Sequence, residues 1–209
     1  MFDGRGALAK AGIEKISSTK VVCQIQHLKI VEKPKRPQII IAAAVAKHDR
    51  FDWLIAKCTE LGVDGITPVI FERSVKQPKN PKIIDRWNNI AIAAAKQCKR
   101  LFLPAIDLPL PLAEAISKLT ADYPGARILV GSLDEDAKAL LEIGFDSRNV
   151  IAFIGPEGGF TDQEDKLLTD KGAQPARIAD TVLRVETAAI AFAAFLAALR
   201  NVLLREKAL

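Results

Sequence analysis

Residue types that anchor small secreted or metal-binding proteins are scarce in this chain of 209 residues. Three cysteines, Cys23, Cys58 and Cys98, lie far apart without a paired C-x-x-C spacing, and the two histidines are isolated. A disulfide framework and a zinc site are therefore not expected, and the thiols are predicted to be reduced and partly buried. We expect no metal, and thiols of this kind suit a cytoplasmic protein.

Long apolar runs are missing as well. The first six residues lack the apolar stretch of a signal peptide. The longest apolar stretch, residues 188–199, is shorter than the roughly 20 residues that a membrane-spanning helix needs. The sequence therefore predicts a protein that does not associate with a membrane.

The composition is that of a folded protein with a basic surface. Hydrophobic residues make up 49% of the chain, which argues against disorder. The formal charge is +5 and the sequence pI is about 9.1, so a nucleic acid is a permitted partner. Charge alone does not separate that reading from a basic soluble enzyme.

Strand and helix patterns alternate along most of the chain. Residues 1–30 read as short β segments, and residues 31–37, with two prolines and three cations, read as a linker. Strands are predicted at 38–45, 65–71, 127–131 and 149–154, and helices at 49–61, 80–99, 112–119, 136–143, 161–172 and 188–204. Alternation of this kind predicts an α/β fold with a mainly parallel sheet over residues 38–209.

A glycine-rich turn follows the apolar strand at 149–154. It reads Gly155-Pro156-Glu157-Gly158-Gly159, and Thr161 with Glu164 then forms a capping box for the next helix. Ligands of open parallel sheets bind beyond the carboxyl ends of the strands, and glycine lets a ligand approach the backbone. The turn matches neither a dinucleotide fingerprint nor a Walker A loop. Taken alone, the segment fits a tight strand-to-helix turn without a ligand about as well as it fits a ligand-binding loop.

A second marked segment, residues 178–188, leads into the last helix. Glu186 and Thr187 lie at the helix start, where an anion or cap is favoured, and Arg184 precedes them. Arg184 forms an ion pair with Glu186, is a surface cation, or is a cation directed at substrate oxygen or phosphate. The alanine-rich helix itself suits a buried core helix, a dimer interface, or a share of each.

Together these segments resemble the RsmE family of 16S ribosomal RNA uridine-N3 methyltransferases. The matching residues are 154–160, 183–188, 57–63, Glu72-Arg73-Ser74, and Gln97 with Arg100 before Leu103-Pro104. The resemblance implies a SPOUT-type parallel sheet with a C-terminal trefoil knot, a homodimer, and S-adenosylmethionine as cofactor. It also implies one uridine of 16S rRNA, in free RNA or in the small ribosomal subunit, as substrate.

Site residues follow from the resemblance position by position. The implied cofactor-binding residues are Gly131, Ser132, Gly155, Pro156, Glu157, Gly158, Gly159, Ile178, Val182, Leu183, Val185 and Thr187. The implied RNA-binding residues are Arg73, Gln97, Arg100 and Arg184. For catalysis, Arg184 is expected to stabilise charge on the uracil, and Glu157 or Glu186 to accept its proton, with helix capping or arginine pairing as the alternative for both acids.

The sequence departs from the family pattern at three places and contains three clusters of basic residues. Ile178-Ala179 and Cys98-Lys99 replace the family's usual Leu-Gly and Ser-Gly, and residues 1–30 match only the closing part of its PUA-like RNA-binding barrel. The clusters are Lys33-Lys35-Arg36, Lys76-Lys79-Lys82 and Lys96-Lys99-Arg100. They would be informative if they converged on one cleft. Another ribosomal or transfer RNA base, a non-catalytic RNA-binding module and a different nucleotide-binding α/β enzyme remain as alternatives.

Overall fold

The computed structural model of this chain describes residues 1–46, 49–74 and 82–206. The strands are β1 (Ala7–Ile16), β2 (Val21–Ile30), β3 (Ile39–Ala44), β4 (Gly65–Ile70), β5 (Ala105–Ile106), β6 (Leu110–Pro111), β7 (Arg127–Gly131), β8 (Lys138–Ala139), β9 (Val150–Ile154) and β10 (Gln174–Arg177). The helices are α1 (Asp49–Glu60), α2 (Ile83–Cys98), α3 (Leu112–Asp122), α4 (Leu140–Ile143), α5 (Asp162–Thr169) and α6 (Val185–Glu206).

Strands β3 to β10 form one sheet in the order β5-β4-β3-β9-β7-β10-β8, with β6 beside β4. All of its pairings between the described strands are parallel. Every residue of β3 and β9 is buried, so both faces of the sheet centre are covered. Continuous apolar strands are typical of such a sheet. The predicted α/β fold with a mainly parallel sheet is confirmed.

Helix α6 packs against α1, β3 and β9, and α1 packs against α2. The predicted apolar face of α1 is buried at Phe51, Leu54, Ile55 and Cys58. The ring of Phe51 lies 4.8 Å from that of Trp87 on α2. Gly62, at φ +84°, ends this helix in the left-handed cap that the sequence predicted. The sequence pattern therefore located this layer correctly.

Strands β1 and β2 pair antiparallel in a separate two-stranded sheet. They are ten residues each, longer than the short segments expected. The hairpin joins the main body where Leu103 N donates to Gly4 O at 3.0 Å and where Arg5 bridges Phe102. Ile13, Ile25, Leu28 and Ile30 on it are exposed. The assignment of residues 1–30 to a barrel remnant stays a prediction. So does the assignment of residues 31–37 to a linker.

Two local predictions differ from the structure. The helix predicted at 136–143 is wrong in its first half, because Lys138–Ala139 form strand β8, which pairs with β10 at the edge of the sheet. Pairing with a neighbouring strand overrides weak local preference. The last helix begins at Val185 rather than at 188. The predicted Asn80-Pro81 helix start lies outside the described residues.

Helix α6 is long and apolar enough, by length and composition, to cross a membrane. At 22 residues it exceeds the apolar stretch seen in the sequence. Core helices of soluble proteins pass the same test, so one such helix is weak evidence. Here Phe192, Leu196 and Arg200 are buried against the sheet and α1. About 33% of the apolar window is buried in this way, and the absence of membrane association stays a prediction.

Candidate functional site

A cavity of about 600 Å³ opens at the carboxyl ends of β7 and β9. Its walls come from three segments: residues 131–134 after β7, residues 154–165 around the glycine turn, and residues 178–188 before and within α6. Gly131, Ser132, Gly155, Pro156, Glu157, Gly158, Gly159, Ile178, Val182, Leu183 and Val185 all line it. Thr187 is the predicted cofactor residue that does not. The two marked turns therefore converge on one cavity.

The glycine turn is shaped by tight packing as much as by access for a ligand. A Cβ on Gly155 would lie 2.7 Å from the Phe160 ring, which packs edge-on against Phe71 at 5.4 Å. Gly159 has φ +71° and donates to Pro156 O at 2.9 Å. Only glycine adopts that conformation without strain. The Phe160 ring therefore packs against the turn at Gly155 and restricts its shape.

Arg73 holds the same turn from the side of β4. Its Nη1 donates to Gly158 O at 3.0 Å and to Phe160 O at 2.9 Å. Nearby, Glu164 accepts from Glu72 N at 2.7 Å and from Thr161 N at 2.9 Å, which completes the predicted capping box. Arg73, which the resemblance assigns to RNA binding, is therefore hydrogen-bonded to two carbonyl groups of the cavity wall.

The two candidate proton acceptors have different surroundings. Glu157 lines the cavity and its side chain is half-exposed, whereas Glu186 is 5% exposed and lies outside the lining. Both carboxylates meet the guanidinium of Arg50, at 3.3 Å from Glu157 and 3.7 Å from Glu186. Oε2 of Glu186 is buried without a hydrogen-bond partner among the described residues. Glu157 is the acid placed to meet a ligand.

The cavity wall contains further acidic residues that the sequence did not predict as site residues. Asp134, Asp162 and Asp165 all line it. Ser132 Oγ donates to Asp134 at 2.5 Å, and Asp134 N donates back to Ser132 Oγ at 3.0 Å. The lining holds no lysine, arginine or histidine among the residues that the structure describes. A signal for Asp162 and Asp165 was present in the acidic first turn of α5, which reads equally well as helix stabilisation.

Arg184 immediately precedes α6, and its carbonyl accepts the first helical hydrogen bond from Ala188 N at 2.9 Å. Its side chain is exposed and is not part of the cavity lining. In the described part of the chain, the cation beside Glu186 is Arg50, so the predicted pair with Arg184 does not form. The structure therefore places Arg184 between two lining residues, Leu183 and Val185, with its own side chain exposed.

Gln97 and Arg100 lie at the opposite edge of the sheet. Arg100 donates to Thr59 O at 2.9 Å and Val63 O at 2.6 Å, beside Asp64 at the amino end of β4. Gln97 is exposed in the last turn of α2. Strands of about six residues separate this edge from the cavity by about 20 Å. Within one chain, these two residues therefore lie away from the cavity, and their role in RNA binding stays a prediction.

Two of the three basic clusters meet at that same edge. Arg36 lies 3.2 Å from Asp64, and Arg100 lies 3.9 Å from it. Lys33, Lys35, Lys96 and Lys99 are exposed around them. Lys76 and Lys79 of the third cluster lie outside the described residues. The clusters that the structure describes converge, but on the edge away from the cavity.

Comparisons with known proteins match this architecture. Residues 32–197 match the family model of the RNA methyltransferase domain. Ribosomal RNA small subunit methyltransferase E of Synechocystis is 32% identical over 72% of this chain and 50% of its own length. The protein of the same name from Mesomycoplasma hyopneumoniae is 32% identical over 79% of this chain and 71% of its own length. This chain thus spans half to about 70% of these relatives.

Solved structures agree. Ribosomal RNA small subunit methyltransferase E from Neisseria gonorrhoeae, bound to S-adenosylmethionine, superposes with a TM-score of 0.83 at 29% identity, over 93% of this chain and 80% of that one. Fold and cavity define the class of an α/β RNA methyltransferase domain. The chain belongs to that family, among the relatives named ribosomal RNA small subunit methyltransferase E.

Proposed function

We propose that this chain uses S-adenosylmethionine to methylate N3 of a specific uridine in 16S ribosomal RNA. The observation that carries the proposal is the single cavity on which the glycine turn and the segment before α6 converge. The family match and the ligand of the Neisseria protein support the cofactor and the ribosomal RNA. The uridine and its N3 atom come from the resemblance of residues 154–160 and 183–188 to the RsmE signature.

The cavity fits this cofactor in shape and charge. Ile154, Leu183 and Val185 supply apolar walls for a flat ring, and a Cβ on Gly131 would press on Ile154 at 3.3 Å. The lining includes Glu157 and three aspartates, and it contains no cationic side chain among the described residues. Such a lining favours a ligand with sulfonium and ammonium charges and disfavours a nucleotide phosphate. This argues against the alternative of a nucleotide-binding enzyme.

The bound cofactor supplies a methyl group that is already electrophilic, so the protein aligns the base and moves its proton. Glu157, at the mouth, accepts the N3 proton of the uracil, directly or through water. Arg184, exposed beside the mouth, donates to a uracil oxygen and stabilises the negative charge that develops there. Glu186 is buried beside Arg50, and its place in catalysis is therefore less direct than that of Glu157.

Assembly and topology belong to the same proposal. Ala194, Ala198 and Val202 are exposed along one face of α6, where small side chains let a second helix approach closely. We propose a homodimer through this face, a trefoil knot in the C-terminal part, and a cytoplasmic location. Ala198→Glu should shift the mass measured by light scattering from dimer to monomer, whereas Lys171→Gln, at an exposed cation outside α6, should leave it unchanged.

The decisive experiment is incubation with methyl-labelled S-adenosylmethionine and unmodified small-subunit RNA or assembled subunits, followed by mapping of the label. We expect label on N3 of one uridine. Label on another ribosomal or transfer RNA base would replace the proposed target, and RNA binding without label would indicate a binding module. A protein that fails to bind the cofactor in a titration would overturn the enzymatic reading altogether.

Arg184→Ala tests the active-site assignment. Turnover should fall about a hundredfold while cofactor affinity stays within about twofold, because Arg184 lies outside the lining. Lys171→Ala is the control, since Lys171 is an exposed cation outside α6 and outside the lining, and its removal should leave both quantities unchanged. Unchanged turnover in Arg184→Ala would remove this residue from the mechanism.

A further inference from the structure

Arg50 connects three parts of the chain that are distant in sequence. It is the second residue of α1, directly after the carboxyl edge of the sheet. Its Nη1 lies 3.3 Å from Glu157 Oε1 in the glycine turn, and its Nε lies 3.7 Å from Glu186 Oε1 in the first turn of α6. One guanidinium therefore stands between the two segments whose convergence makes the cavity.

Each of the two carboxylates is attached to a cavity wall. Glu157 is itself a lining residue between Pro156 and Gly158. Glu186 follows Val185, which lines the cavity from the start of α6. A contact with either carboxylate therefore attaches Arg50 to a segment that lines the cavity. Arg50 touches both from outside the cavity, and it is not itself in the lining.

The surroundings of Glu186 make this contact consequential. Its carboxylate is 5% exposed, and its Oε2 lacks a hydrogen-bond partner within the described ranges. An uncompensated buried carboxylate is costly, so Arg50, its cationic neighbour in the described part of the chain, strongly biases where the carboxylate lies. Arginine suits this position because its planar fork presents separate N–H groups to two acceptors, which a lysine ammonium cannot do with the same geometry.

We infer that Arg50 is a positioning residue: it fixes the glycine turn against the start of α6 and so sets the width of the cofactor cavity. The consequence for cofactor binding rests on the proposed function. The effect on the two walls does not, because it follows from contacts within the chain. Arg73 holds the turn from the other side through Gly158 O, so the turn is fixed between two arginines on different elements.

The test compares Arg50→Gln and Arg50→Lys with a matched control, Arg86→Gln. Arg86 lies on α2 and lines a surface groove that Arg50 also lines. Like Arg50, it pairs with two carboxylates, those of Asp49 and Asp52. It touches neither cavity wall in the structure. Thermal unfolding of each variant establishes that it is folded before either measurement below.

Hydrogen exchange of the unliganded protein reports on the walls directly. Gly159 N, bonded to Pro156 O, and Ala188 N, bonded to Arg184 O, should exchange about tenfold faster in Arg50→Gln and at the wild-type rate in Arg86→Gln. Arg50→Lys should fall between them, because an ammonium can keep one carboxylate in place. Unchanged exchange at both amides in Arg50→Gln would overturn the inference, whatever the protein binds.

Calorimetric titration with S-adenosylmethionine measures the consequence for binding. Kd should rise about tenfold in Arg50→Gln and less than twofold in Arg86→Gln. In the exchange experiment, Glu157→Gln added to Arg50→Gln should change the rate at Gly159 N little further, because both substitutions remove the same contact. Full additivity of the two changes in that exchange rate would contradict the inference. Failure of the wild-type protein to bind the cofactor would instead overturn the proposed function, and the exchange result would still decide the role of Arg50.

Discussion

Arg200 Nη1 donates to Asp64 Oδ2 at 2.6 Å and so joins the end of α6 to the start of β4. Both side chains are buried, and burial lowers the pKa of Arg200 while the charge of Asp64 opposes that shift. Asp64 also accepts from Arg36 at 3.2 Å and from Ile39 N at 3.1 Å. One carboxylate therefore serves several donors at the amino edge of the sheet.

Removing Asp64 should destabilise the protein more than removing Arg200. Asp64→Ala leaves buried arginines without their counterion, and we expect a loss of about 3–5 kcal/mol in the free energy of unfolding. Arg200→Leu leaves Asp64 with Arg36 and should cost about 1–3 kcal/mol. Chemical denaturation followed by circular dichroism measures both. The reverse order of the two losses would show that Asp64 is not the centre of the network.

Local patterns in the sequence predicted the parts of the fold that are fixed locally. The apolar face of α1, the cap at Gly62 and the capping box at Thr161 all follow from residues within one or two turns of each other. The Arg200–Asp64 pair joins positions 136 residues apart, and nothing near either residue marks the other. Strand β8 was missed because its pairing with β10 is also non-local, joining Lys138 to Ala176.

The site divides in the same way. Motif residues such as Gly155 and Leu183, which the resemblance groups together, line one cavity, and their binding of a cofactor stays a prediction. Arg50 was missed, because an arginine in the first turn of a helix has no local mark of a partner 107 residues away. Gln97 and Arg100 lie at the far edge of the sheet, a placement that depends on how α2 crosses it.

Gly155→Ala should disturb the cavity through crowding. The added methyl group would lie 2.7 Å from the Phe160 ring, so the ring or the turn must move. We expect a loss of about 1–3 kcal/mol in stability and at least about a tenfold rise in the Kd for S-adenosylmethionine. Gly125→Ala is the control: its φ of +73° makes it strained, but its Cβ meets nothing within 4 Å. It should lose stability and keep cofactor affinity.

Cys58 should resist thiol reagents until the protein unfolds. Burial raises the pKa of its thiol to about 12, because the charged thiolate is disfavoured away from water. At pH 8 only about one molecule in ten thousand carries the thiolate there. Cys23 and Cys98 are half-buried. Colorimetric titration of the native protein should therefore count at most two thiols, and three after denaturation. Modification of Cys58 in the native state, located by mass spectrometry, would show that α1 opens readily.

Arg73→Gln separates the two roles that this residue has been given. If Arg73 supports the cavity wall, losing its hydrogen bonds to Gly158 O and Phe160 O should raise the Kd for S-adenosylmethionine about tenfold, a change of about 1.4 kcal/mol. The salt dependence of RNA binding should stay unchanged, because a side chain engaged with carbonyls releases no counterion from phosphate. Lys171→Gln, at an exposed cation beyond α5, is the control for charge alone. A reduced salt slope with unaltered cofactor affinity would return Arg73 to the RNA-binding role that the sequence first indicated.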